Sequence, residues 1–139
     1  MRKRTKSREF ALQILYQLDI TRDSDIDAVI MFFWQRLPDE DIALEVKDFT
    51  QGLVKGVIGH LAEIDKKISG LATNWRLDRM AKVDRNIMRL AAYEIIYCQD
   101  IPSKVSINEA VELAKKYSDV QAAKFVNGIL DKIKSDIKK

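Results

Sequence analysis

Residues 101–133, IPSKVSINEAVELAKKYSDVQAAKFVNGILDKI, constrain the fold most, because their apolar positions return at the spacing of an α-helix. Ala110, Val111, Ala114 and Tyr117 share roughly one face of a first run, with Glu109, Glu112, Lys115 and Lys116 largely away from it. Phe125, Val126, Ile129, Leu130 and Ile133 keep the spacing straight through an Asn127-Gly128 pair that would ordinarily mark a turn. Pro102 stops the helix before, since its ring clashes with a continuing turn and it lacks an N–H. Ser106, three residues ahead of Glu109, reads as a capping box that opens the first run. A glycine within a helix is about 1 kcal/mol worse than alanine, so something other than helix propensity wants Gly128 small. Asn127 and Gly128 therefore read as structural.

The same periodicity extends back to the N-terminus and predicts helices throughout, with no strand. A first helix covers residues 3–20 and buries Phe10, Ala11, Ile14, Leu15 and Leu18. Ser24 is the expected cap of a second helix carrying Ile26, Val29, Ile30 and Phe33, which ends near Leu37-Pro38. The acids at 39–41 favour the start of a third helix, because carboxylates complement the positive end of the helix dipole. That helix runs to about residue 60, and its Gly52, Gly56 and Gly59 leave a nearly side-chain-free groove for a close helix neighbour. A fourth helix reaches residue 68 with Gly70 as its C-cap. A connector follows at 74–78, then helices at 80–98, 106–117 and 120–137. Seven helices on short connections make an all-α bundle, and 139 residues form a single domain, 1–139.

Composition excludes several function classes. A chain 47% hydrophobic and 32% charged is globular rather than disordered. No apolar run reaches the roughly 20 residues of a membrane span, and no signal-peptide pattern opens the chain. A single cysteine, Cys98, fits a reducing cytoplasm. With one histidine, His60, and one cysteine there is no metal cluster, and no glycine-rich phosphate loop is present. The acids lie beside lysines and arginines on helix faces, where surface pairing accounts for them. No catalytic residues, cofactor or small-molecule substrate are expected.

Net charge is only +3, but its placement is uneven. Arg2, Lys3, Arg4, Lys6 and Arg8 crowd the first eight residues, whereas Asp39, Glu40, Asp41, Glu45 and Asp48 make an acidic patch further on. On a helical wheel Arg2, Lys6, Glu9, Gln13 and Tyr16 fall within a sector of roughly 80°, opposite the buried stripe. Cations at a helix N-terminus oppose its dipole by a few tenths of a kcal/mol each, roughly, so helix stability alone would place acids there. A phosphate at that end would meet free N–H groups and cationic side chains together. Gln13 offers an amide to base edges, and Tyr16 a ring for stacking an unpaired base. The alternatives are a solvated basic terminus and a core role for Tyr16.

Two further clusters stand out. Gln121, Lys124 and Phe125 sit at the start of the final helix, another N-terminus suited to phosphate, although the register of Phe125 with Ile129 fits packing nearly as well. Lys82, Arg85 and Arg89 recur at i, i+3 and i+7 and share a face, with Trp75, Arg76, Asp78 and Asp84 nearby. Mixed charge of this kind is usually mere solvation, and Arg89, within an apolar segment, reads as an internal ion pair.

INEAVELAKKY with KFVNGILD resembles the closing helices of the NusB family of bacterial antitermination factors. The basic start with ALQILYQ (residues 11–17) and NWRLDRMAKVDRNIMRLAAYEI (74–95) extend the resemblance, in the same order, over nearly the whole chain. It implies two packed three-helix subbundles and an arginine-rich first segment that binds boxA, a short single-stranded RNA element. Arg4, Lys6, Arg8 and Tyr16 match positions of that segment, and Lys124 and Phe125 match the family's KFVNG. It also implies a second surface for the tenth small-subunit ribosomal protein, NusE, with Arg76 and Asp84 as candidates, and assembly with other Nus factors on RNA polymerase. On this reading the double substitution Lys6→Glu, Arg8→Glu should weaken RNA binding about tenfold or more without changing helicity. Two rivals remain. The same module fronts certain ribosomal RNA cytosine methyltransferases, which a 139-residue chain fits less well, and a purely protein-binding adaptor would use its basic end only for solubility.

Overall fold

The computed structural model describes residues 2–37, 41–72, 76–137 and 139. Among these are seven helices and no strand: α1 (Lys3–Thr21), α2 (Ile26–Arg36), α3 (Leu44–Gly59), α4 (Leu61–Leu71), α5 (Lys82–Tyr97), α6 (Ser103–Tyr117) and α7 (Val120–Asp136). A short 3-10 turn, Leu77–Arg79, leads into α5. α1 packs on α2, α3 and α5, and α6 pairs with α7. α5 runs between these groups and touches α1, α3, α4, α6 and α7. Its Ile87, Met88 and Ile95 therefore meet Ile14 and Leu15 of α1 and Leu130 and Ile133 of α7 in one continuous core. Each such side chain contributes about 1.5–3 kcal/mol by leaving water.

The helix ends show which local signals won. Arg22 adopts a left-handed conformation (φ 57°) and closes α1 by donating its N–H to the Leu18 carbonyl. α2 is capped not by Ser24 but by the next residue, Asp25, whose carboxylate accepts from the Ala28 N–H at 3.1 Å. The acid-led start expected for the third helix moves to Leu44: Asp41 precedes the helix, Glu45 is its first-turn acid, and Asp39 and Glu40 lie outside the described residues. α4 continues through Gly70, so that residue is not a cap. Asp119 caps α7, accepting from the Ala122 N–H at 2.7 Å.

The capping box at Ser106 does not form. α6 starts at Ser103 behind Pro102, and both box residues are drawn into a buried network. The Ser106 hydroxyl donates to Glu94 at 2.8 Å, and Glu109 accepts from Thr5 at 2.7 Å. A buried carboxylate such as Glu94 needs donors more than a helix end, which solvent can satisfy, needs a cap.

The glycines divide in the same way. Gly56 has a packing reason, because a Cβ there would run into the Tyr93 ring. Gly52, Gly59 and Gly128 face open space, so the continuous groove expected along α3 reduces to a single close approach, and no packing demand explains Gly128. The C-terminal Lys139 donates to the carbonyls of Glu94, Cys98 and Ile101 at 2.6–3.1 Å, satisfying groups at the end of α5 and in the turn beyond it.

Candidate nucleic-acid interface

The exposed cations gather at the start of α1. Arg2 is its N-cap, makes no side-chain cap, and no acid occupies the first turn. Arg2, Lys3, Arg4 and Lys6 are all exposed. Three are steadied from below: Lys3 pairs with Glu45, the Arg4 guanidinium lies 4.4 Å over the Phe49 ring, and the Lys6 ammonium lies 4.9 Å over Phe10. Their stems cover apolar surface while their charges stay in water, where they meet an anion at little further cost in ordering. Gln13 is exposed further along this face, and Tyr16 keeps 39% of its surface, so it is not a core residue.

Arg8 does not belong to this surface. It is 4% exposed, and its guanidinium binds Glu94 twice, at 2.7 and 2.9 Å, and Glu109 at 3.3 Å. Burial works against its charge, but the hydrogen bonds and charges of the two glutamates outweigh it and hold the guanidinium above its ordinary value. The wheel carried the signal, because Arg8 shares its face with Leu12 and Leu15, both buried. Glu9, placed by the wheel on the open sector, is also buried. Its carboxylate sits beneath the ammonium groups of Lys6 and Lys116.

At the start of α7, Gln121 and Lys124 are exposed, whereas Phe125 is half-buried and packs against the core. The three line a groove of about 600 Å³ together with Arg79, Met80 and Asp84. Asp84, expected on the protein-binding surface, thus faces the same groove as the RNA candidates of α7. Its Oδ1 is shielded from solvent and makes no hydrogen bond among the described residues.

Arg76 goes elsewhere. It is exposed, pairs with Asp78 at 3.2 Å, and lines a larger groove of about 940 Å³ floored by Asp19, Asp65, Arg85, Asn86 and Arg89. The structure therefore does not bring Arg76 and Asp84 together, and Trp75 lies outside the described residues. The basic stripe on α5 also dissolves. Lys82 is exposed, but Arg85 is buried in a two-pronged pair with Asp19, and Arg89 bridges Asp19 and Asp65, the internal pairing expected of it. Sequence reasoning missed Arg79 and Lys116, whose positions beside the groove and beside α1 depend on the turn before α5 and on the α6–α7 corner.

The described residues hold no cluster of potential metal ligands and no helix long and apolar enough to cross a membrane. What the surface offers is cations, amides and aromatic rings at two helix starts, a set that suits an anionic polymer with unpaired bases.

Comparison with known proteins agrees in fold and in sequence. The NusB family model matches residues 5–135. The transcription antitermination protein NusB of Anaeromyxobacter sp. (strain Fw109-5) is 51% identical over 131 residues, covering 94% of this chain and 89% of that protein. The one from Bacillus subtilis (strain 168) is 47% identical over 135 residues, with 97% of each covered. Among solved structures, T. maritima NusB superposes with a TM-score of 0.86 at 36% identity, covering 96% of this chain and 91% of that one. A chain in the crystal structure of antitermination factors NusB and NusE in complex with dsRNA gives 0.81 at 28% identity, with 99% of each covered.

Proposed function

Because the chain belongs to the NusB family of transcription antitermination factors, we propose that it binds the boxA RNA of ribosomal RNA operon leaders jointly with the ribosomal protein NusE. In this reading it works in the cytoplasm, catalyses nothing, and helps load other Nus factors onto RNA polymerase. The observation that carries the RNA half is the α1 start, where Arg2, Arg4 and Lys6 stand exposed on an acid-free first turn that helix stability alone would not favour. Phosphate contacts there would set affinity and salt dependence, while Gln13, Tyr16, Gln121 and the edge of Phe125 would read or stack bases. The solved relative bound to NusE and dsRNA supports both partners. Asp84 in the α7 groove and Arg76 in the larger groove remain the residues proposed for the protein partner.

Reversing one cation on each helix, Lys6→Glu with Lys124→Glu, should weaken binding of a boxA-like RNA about tenfold or more and flatten its salt dependence. Both side chains are exposed, so circular dichroism should be unchanged. Parental affinity in that variant would remove both helix starts from the RNA surface.

A further inference from the structure

Glu9 is a buried carboxylate with exposed partners. Its Oε2 accepts from the Lys116 ammonium at 2.7 Å, and its Oε1 lies 3.9 Å from that of Lys6. Both lysines keep about half their side-chain surface in water, Lys6 at 47% and Lys116 at 52%. The Lys116 ammonium also lies 5.4 Å from the centre of the Tyr117 ring. The hydrogen bond to Glu9 holds it above the ordinary lysine value, so it stays charged throughout the physiological range.

Lys116 is one of several links between α1 and α6, since Thr5 and Arg8 also join the two helices through Glu109. Its position is the informative part. It lies in the last turn of α6, one residue before its end, bonded to Glu9 of α1, and the chain then turns through Asp119 into α7, where Gln121 and Lys124 are exposed. The Glu9 bond therefore ties a cation from the α6–α7 corner to the Lys6–Gln13 face of α1. An ammonium has three donors and Glu9 takes one, which leaves two for phosphate oxygens. Two cations around one carboxylate leave the spot positive.

We propose that Lys116 is a phosphate-contacting cation that joins the α1 and α7 halves of the RNA surface into one continuous track. This rests on the RNA-binding reading and assigns that surface a contact on a third helix.

The test is fluorescence anisotropy of a labelled boxA-like RNA over a salt series, with the full chain and with Lys116→Met, Lys116→Arg and Lys115→Met. Lys115 is the neighbouring control, paired with Glu112 at 3.5 Å. Lys116→Met should bind roughly threefold to tenfold more weakly, and the slope of log K against log salt should fall by about 0.7, one phosphate contact on a single strand. Lys116→Arg should keep both affinity and slope, and Lys115→Met should match the parent. Parental affinity and slope in Lys116→Met, or an equal loss in Lys115→Met, would overturn the assignment while the parent's binding upheld the RNA reading. A parent that binds no RNA would overturn that reading and this inference with it.

Discussion

Replacing Arg8 with methionine is expected to lower folding stability by about 3–5 kcal/mol, although the residue sits in the basic opening segment where substitutions look harmless. Methionine fills much of the volume but leaves Glu94, 1% exposed, with only the Ser106 hydroxyl as a side-chain donor among the described residues. The carboxylate must then stay charged without a cation or take up a proton, and either route weakens the native state. Urea denaturation reads the loss as a lower midpoint with an unchanged slope. Arg4→Met, whose guanidinium stands in water over Phe49, should lose about 1 kcal/mol at most. Removing both charges, Arg8→Met with Glu94→Leu, should recover much of the loss, because the penalty lies in the stranded partner. An Arg8→Met protein as stable as the parent would show that the pair does not hold α1 against α5. The paired reversal Lys6→Glu, Arg8→Glu consequently measures unfolding as well as RNA binding, which is why Lys124 replaces Arg8 in the binding test.

Asp19→Asn should lower stability by about 3 kcal/mol at neutral pH, and the difference should shrink in acid. Asp19 accepts from Arg85 at 2.7 and 2.8 Å, from Asn86 at 2.8 Å and from Arg89 at 3.2 Å. Burial pushes its carboxyl upward, but the hydrogen bonds from Arg85 and Asn86 and the charges of Arg89 and Arg85 outweigh it and hold the group below its ordinary value. A folded value below the unfolded one means that the stabilisation is complete above the unfolded carboxylate value, near pH ~4, and disappears as pH falls through the folded value. The parent should lose stability over that acid window, and Asp19→Asn should lose correspondingly less. Urea midpoints measured from neutral pH into that window check both parts. A gap between the proteins that stays constant would mean that the Asp19 charge does not contribute.

The helices were legible because apolar spacing and end signals agreed. Residues 3–20 and 120–137 come out as Lys3–Thr21 and Val120–Asp136, where a buried stripe runs through the middle of each helix, from Ser7 to Leu18 and from Ala123 to Ile133. The starts of α3 and α6 are not legible in the same way, because acids and a serine resemble caps wherever they stand, and nothing local reveals that Ser106 and Glu109 serve a network reaching Arg8 about a hundred positions away. The candidate site divides along the same line. Exposure of Lys6, Gln13 and Tyr16 fits one helical wheel, as does the burial of Arg8, whose neighbours on its face are leucines, but Glu9 in the same open sector is buried by its lysine partners. The Glu9–Lys116 bond spans 107 positions, and the meeting of Asp84 with Gln121, Lys124 and Phe125 depends on how α5 and α7 pack. No periodicity within one helix contains either.

The most direct measurement is fluorescence anisotropy of a labelled boxA-like RNA against a scrambled RNA of equal length, titrated with the chain alone and with NusE added. Tighter binding to the boxA-like RNA, strengthened further by NusE, is the expected result, because two ligands that favour one state of an adaptor must raise each other's affinity. Equal, salt-sensitive binding to both RNAs with no effect of NusE would contradict it and reduce the α1 start to an electrostatic patch.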